Sequence, residues 1–360
     1  MLQKGIKRKL FILAVILLLT LFFFINFSVF VPRQEKILVS DEISNPIVED
    51  TSITPVIPRE KPTPPKETEI KRKDVIAYVI NQLSNDVWLV NLDKGTTLAK
   101  IPVGRFPTHG YIDNHRLYVT NTHDDTVSVI DTISNKAIET IPTGGSPQGI
   151  VVKGNFLYVA EESDEDVGVI DKNTFEKVAK IPVKRPTFMA FNNARDRIYV
   201  SSPRAHAVAV INPDINTVTK MLDVGEFPEG FAFDSLELFL LVANTASKDV
   251  SIISLKRQKE IQRLKTGMTP KAVAITEDNN FAFVANMDSS TVSVVGIEQG
   301  KVLKDIDVDS PADILIKGNR AYVASYVGNT IVVIDTQNLK VIGGVATELG
   351  PVSIVVKEQS

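Results

Sequence analysis

From Asp74 onward, apolar and polar positions recur in a fixed order. Tyr78-Val79-Ile80-Asn81 returns as Tyr118-Val119-Thr120-Asn121, Tyr158-Val159-Ala160-Glu161 and Tyr199-Val200-Ser201-Ser202. It returns again as Leu241-Val242-Ala243-Asn244, Phe283-Val284-Ala285-Asn286 and Tyr322-Val323-Ala324-Ser325. The steps between copies are 40, 40, 41, 42, 42 and 39 residues. A β-branched strand follows each start, as in Thr126-Val127-Ser128-Val129-Ile130-Asp131 and its copy Thr330 to Asp335. Its near-alternation predicts one buried face. A third strand comes next, as in Ala137 to Ile141, then a turn ending in Pro107, Pro147, Pro186, Pro228, Pro270, Pro311 or Pro351. A fourth strand, as in Gly149 to Val152, completes the unit and leaves no room for a helix.

Seven units of about 41 residues with four strands each predict an all-β fold, a seven-bladed β-propeller over residues 74–360. The phase of the repeat predicts how the ring closes. The first unit opens at its second strand, and the chain ends on an innermost strand, Pro351-Val352-Ser353-Ile354-Val355-Val356. The C-terminal strand is therefore expected to complete the first blade, and its removal to open the ring. A ring closed within one chain also predicts a monomeric propeller.

The other end is different material. Leu10 to Val31 is a 22-residue apolar run broken only by Thr20, Asn26 and Ser28, enough to span a bilayer as a helix. Lys4, Lys7, Arg8 and Lys9 precede it, and the exit Asn26 to Pro32 lacks a small-residue cleavage pair. These features predict a cytoplasmic basic segment (1–9), an uncleaved single-pass transmembrane signal anchor (10–31) and a propeller on the extracytoplasmic side of the cell membrane. Residues 32–73 hold seven prolines among Glu, Lys, Ser and Thr and read as a disordered, semi-rigid tether.

Composition narrows the chemistry. The chain of 360 residues carries 40 Lys+Arg against 43 Asp+Glu, so no nucleic-acid partner is expected. The absence of cysteine excludes disulfides, thiolate metal sites and a cysteine nucleophile. Four histidines and one tryptophan are too few for a histidine-rich copper cluster or a tryptophan-docked ring. No nucleophile elbow, phosphate loop or zinc-binding His-Glu motif occurs.

The repeats resemble the YVTN family of β-propeller proteins. The Tyr-Val-x-Asn start, the Val-Ser-Val-Ile-Asp strand and the Gly-x-x-Pro-x-Gly turn carry the resemblance, most fully in Tyr118 to Asn121, Val127 to Asp131 and Gly144 to Gly149. Lys184, in place of the turn glycine, and Ser202, in place of the asparagine, depart from it. The resemblance implies the fold, and an exported or surface-attached protein, more than any activity.

Candidate functional residues fall on one face, where the loops between second and third strands meet the turns between blades. His109 and His123 share a blade there, and His206 lies two blades on. Asp124 and Asp125 on one loop, with Glu161, Glu162, Asp164, Glu165 and Asp166 on the next, predict a negative patch. It reads as a solvated loop, a docking patch for a basic partner or a Ca²⁺ site, though no calcium-loop spacing is matched and no other cofactor is expected. Thr108, Gln148, Thr187, Glu229, Lys271, Ala312 and Val352 start the innermost strands and should ring the axial channel, with Glu229 and Lys271 adjacent. Arg185 and Arg204 are expected to give the opposite side of that face a positive edge. The recurring Asp131, Asp171 and Asp335, with Asn91 and Asn212, read as turn-forming residues. Trp88 reads as core. Together these features point to a binding or scaffold module at the cell envelope, engaging an envelope protein or surface ligand. A lactonase-like, metal-assisted hydrolase at the channel mouth is the alternative.

Overall fold

The computed structural model describes residues 74–357, which form seven four-stranded antiparallel sheets. The expected basic segment, anchor and tether lie outside the described residues. Among the described residues, no helix is long and apolar enough to cross a membrane.

Blade 1 has the strand order Pro351–Val356, Ile76–Asn81, Asp86–Asn91, Thr96–Pro102, from axis to rim. The C-terminal strand therefore supplies the innermost position, as its phase predicts. Blades 2 to 7 each run in simple chain order. Their innermost strands are Pro107–Asp113, Pro147–Lys153, Met189–Asn192, Pro228–Phe233, Pro270–Ile275 and Pro311–Lys317. Blade 4 starts later than the others, three residues after Pro186. A short 3₁₀ turn, Pro203–Ala205, also interrupts the all-strand pattern there, with His206 in the left-handed region at φ 51°.

The alternating strand does not have one buried face. Thr126–Asp131 is buried at all four central positions, Ser128 included. Each blade stands between two others, so both of its faces are covered. Seven buried clusters result, one between each consecutive pair of blades. Tyr78, Ile80 and Val87 of blade 1 meet Leu117 and Val119 of blade 2, while Ala77, Val79 and Trp88 meet Tyr322 and Ile331 of blade 7. Burying one such aliphatic side chain contributes roughly 1.5–3 kcal/mol, so the seven interfaces carry the fold. Six of the seven outer strands bury only their penultimate residue, as in Lys136–Pro142, and Lys259–Lys265 buries none.

Two polar devices repeat at the edges of these interfaces. The Asp and Asn residues at the ends of third strands close turns: Asp131 Oδ1 accepts from the Ile133 and Ser134 N–H groups, and Asn91 Oδ1 from those of Asp93 and Lys94. Those backbone bonds help hold the Asp131 carboxyl below its usual range. The repeat tyrosines latch one blade to the next. Tyr78 OH donates to Asn135 Oδ1 at 2.7 Å, Tyr158 OH to Asn216 Oδ1 at 3.0 Å, and Tyr322 OH to Asp93 Oδ1 at 3.1 Å across the closure.

The turn glycines answer to close approach. A Cβ on Gly104 would lie 2.6 Å from Asn121 Cγ, and one on Gly225 2.6 Å from Asn244 Cγ. The interblade turn thus sits directly on the buried asparagine of the blade it enters. Where that asparagine shrinks to Ser202, the turn carries Lys184, whose carbonyl accepts the Ser202 hydroxyl at 2.6 Å. Asp309 and Ser325 make the same exchange in blade 7, also at 2.6 Å. The two departures from the repeat at Lys184 and Ser202 are one compensated change.

The C-terminal strand is tied to both neighbours. It pairs with Ile76–Asn81, and Asp313 Oδ2 of blade 7 accepts the Ile354 N–H at 2.9 Å. Deleting residues 351–360 should abolish the single cooperative thermal transition, read by circular dichroism. An unchanged transition would show that the ring does not need this strand.

Candidate functional site

Upper face denotes here the side bearing the interblade turns and the loops between second and third strands. Its seven expected ring residues do converge. Thr108, Gln148, Thr187, Glu229, Lys271, Ala312 and Val352 all line one axial cup of about 320 Å³, with Gln82, His109, Phe188, Met287 and Tyr326. In six blades the second residue of the innermost strand faces the axis because the proline before it is buried in the blade; in blade 4 Thr187 follows the buried Pro186 just ahead of the strand. Gly149 and Gly230 follow, and a Cβ on either would meet the next blade's backbone at 2.5 Å, which fixes how closely the strands converge.

The cup is chemically uneven. Lys271 Nζ lies 3.4 Å from Glu229 Oε1, with about a third and a quarter of the two side chains exposed. Gln148 Nε2 donates to Glu162 at 2.8 Å, and Tyr326 OH donates to Gln82 Oε1 at 2.9 Å. Two lining groups lack a partner: Thr187 Oγ1 and His109 Nδ1 are both buried without a hydrogen bond. The His109 ring packs edge-on against Phe188 at 5.4 Å between centroids. Desolvation, then the charge of Lys271, pushes His109 down to about 4, so its ring is neutral at physiological pH.

The structure does not bring the histidines together. His123 stacks on Phe106, with ring centroids 4.1 Å apart, and its blade-mate His109 lines the cup instead. His206 accepts the Phe227 N–H at 3.3 Å. His109 lies next to the axis, half-buried where the seven strands converge.

The acidic loops are present but compensated. Arg105 pairs with Asp124 at 2.5 Å, Arg185 with Glu162 at 2.6 Å, and Arg204 with Glu165. Lys180 reaches Asp164 and Asp166 at 3.5 and 3.3 Å, and Asp125 accepts the Ser146 N–H. Arg185 and Arg204 therefore form no separate positive edge. Arg185 lies in an interblade turn and Arg204 on a loop, each beside an acidic neighbour; with Lys177 at Glu161, seven carboxylates face five cations.

Glu161 is fully buried in blade 3, where blade 2 places Asn121. Burial, with the Asp166 carboxylate beside it, pushes its pKa up, while Lys177 and the Gly144 N–H oppose the shift. Lys177 Nζ lies 2.8 Å away. Gly168, at the position of Ser128 in blade 2, leaves the space the longer side chain takes. Glu161, Asp164 and Asp166 offer oxygens within 4.8 Å of one another, the group among the described residues shaped for a cation. Lys177 and Lys180 supply there the positive charge that Ca²⁺ would bring.

The comparisons speak to the fold. No family model matches the chain, and no curated protein does. Solved structures match widely. A functionally unknown protein from Desulfotomaculum acetoxidans DSM 771 superimposes with TM-score 0.68 at 16% identity, over 79% of this chain and 99% of that one. Kuenenia stuttgartiensis hydrazine synthase gives 0.66 at 17%, over 75% and 98%. A dihydro-heme d1 dehydrogenase, NirN, gives 0.61 at 17%, over 77% of this chain and 64% of that one.

Two outcomes follow from this geometry. Between pH 6.5 and 4 the unfolded chain takes up a proton that the folded His109 ring refuses, so stability falls as the pH drops through that window. Denaturant unfolding should show that His109→Gln removes about 2–3 kcal/mol of this loss; an unchanged slope would contradict a buried neutral ring. In the same assay Lys177→Ala should cost about 3–5 kcal/mol by stranding Glu161. Adding Glu161→Asn and Gly168→Ser, which rebuild the blade 2 arrangement, should recover most of it.

Proposed function

We infer that this chain is a membrane-anchored, extracytoplasmic recognition module of the YVTN type, and that its ligand site is the axial cup on the upper face. The observation that carries the reading is the cup itself. All seven blades contribute a side chain to one concave, partly polar space, and two of its lining polar atoms have no partner within the protein. Its volume of about 320 Å³ falls in the range of small-ligand sites, at the low end. The apolar run 10–31 and the proline-rich segment 32–73 support the anchoring and the stand-off from the membrane. The compensated acidic loops favour the cup over a purely electrostatic docking patch, because exposed paired charges contribute little to affinity. For the hydrolase alternative, the cation-shaped carboxylate group among the described residues belongs to blade 3, and of its members none lines the cup.

The test uses the full-length chain in detergent, dialysed against a small-metabolite extract and read by mass spectrometry. Wild type should retain a compound that Ala312→Phe, which fills the cup, releases. Neutralising Asp124, Asp164 and Glu165 should leave retention unchanged. No retention by wild type, or equal retention by Ala312→Phe, would sink the reading. Deleting residues 1–31 should move the protein from the membrane to the soluble fraction.

A further inference from the structure

The order of residues around the cup gives the ligand a chemistry; this step rests on the cup being the binding site. Blades 2, 3 and 4 contribute uncharged polar groups, Thr108, Gln148 and Thr187. Blade 5 contributes a carboxylate, Glu229, and blade 6 an ammonium, Lys271. Blades 7 and 1 contribute Ala312 and Val352, flanked by Tyr326 and Met287. Negative, positive and apolar sectors therefore follow one another around half the ring.

Each simpler ligand class leaves a defect. A lone anion on Lys271 would lie against Glu229. A lone amine on Glu229 would lie against Lys271. A purely apolar molecule would strip water from both charges and leave Thr187 Oγ1 and His109 Nδ1 unpaired. The Glu229–Lys271 pair is long at 3.4 Å and partly exposed, so parting it loses little. A molecule carrying both charges a few bonds apart would replace that pair with two shorter charge-assisted contacts. The unpartnered Thr187 hydroxyl, in a residue only 8% exposed, supplies a further contact for such a molecule.

We propose that the axial cup binds a free α-amino acid with an apolar side chain. Its ammonium sits on Glu229, its carboxylate on Lys271, and its side chain against Ala312, Val352, Tyr326 and Met287. The neutral His109 imidazole also lines the cup with its Nδ1 unpartnered, and a charged ring there would repel the ammonium.

Isothermal titration of the full-length chain tests this with three probes of one skeleton: L-leucine, 3-methylbutylamine, which lacks the carboxylate, and 4-methylpentanoate, which lacks the ammonium. L-leucine should saturate the chain, and each truncated probe should bind at least about tenfold more weakly. Glu229→Gln should weaken leucine by a similar factor and erase its advantage over 4-methylpentanoate. Lys271→Met should erase its advantage over 3-methylbutylamine. A misfolded variant would not produce those two opposite changes in preference. Equal binding of leucine and either truncated probe overturns the proposal. So does the absence of leucine binding: if dialysis still finds a compound released by Ala312→Phe, the amino-acid chemistry alone falls, and if it finds none, the cup falls with it.

Discussion

Every blade of this protein is buried on both faces by its neighbours, and the other features of the domain follow from that. A four-stranded sheet cannot shield its own apolar faces. Seven of them can do so only when the last meets the first. The closure is therefore no decoration at the end of the chain. The strand Pro351–Val356 supplies the innermost edge of the sheet whose other strands begin at Ile76, and it places Ile354 in the cluster that blade 1 shares with blade 7. The half-buried Asp313 carboxylate, its pKa pushed up by desolvation, still accepts two backbone N–H groups, of Ile314 and Ile354. Such an acceptor favours one register, because a slip of the C-terminal strand would cost it the Ile354 N–H.

The same double burial explains how far the sequence could be read. Blade number, strand number and the one-plus-three closure were legible because the repeat is set by turn chemistry and strand length, both local. The sidedness of the strands was not. Thr126-Val127-Ser128-Val129 alternates like a half-exposed strand, yet Ser128 is buried, its hydroxyl accepting from Asn121 at 2.9 Å. The polar face of the alternation is satisfied by an internal network instead of by water. The glycine–asparagine couple was legible only as two separate conserved-looking letters within the repeat. That Lys184 and Ser202 compensate each other depends on which turn lies over which strand, a fact of the assembled ring. Tyr118 makes the same point: its buried hydroxyl lacks a partner, and Phe175 stands in the next blade where Asn135 receives Tyr78.

The candidate site divides along the same line. The seven cup residues were legible because their place follows from the repeat phase alone. The charge balance of the rim was not, because Arg105 and Arg185 come from interblade turns far in sequence from the carboxylates they meet, 19 and 23 residues away. A count of acids on two loops overstates the field when the turns between them carry the bases. The environment of His109 was equally invisible, since it depends on the Phe188 ring and the Lys271 charge arriving from blades 4 and 6.

This architecture separates what holds the ring from what meets a ligand. Along each innermost segment the proline is buried and the later apolar residues enter the interblade clusters, while the residue after the proline lines the axial cup. Five of those seven positions are only partly buried: Gln148, Glu229, Lys271, Ala312 and Val352. Their side chains differ in charge, size and polarity although the strands around them repeat closely. A residue that packs little is free to vary, and variation on a backbone ring of fixed radius changes the chemistry of the cup without changing the ring. Rigidity supplied by the seven interfaces thus turns seven loosely constrained positions into a pre-organised site, in which a ligand loses little binding free energy to ordering the protein. Glu229 and Lys271 stand on neighbouring inner strands, so the ring itself presents their 3.4 Å ion pair to the cup.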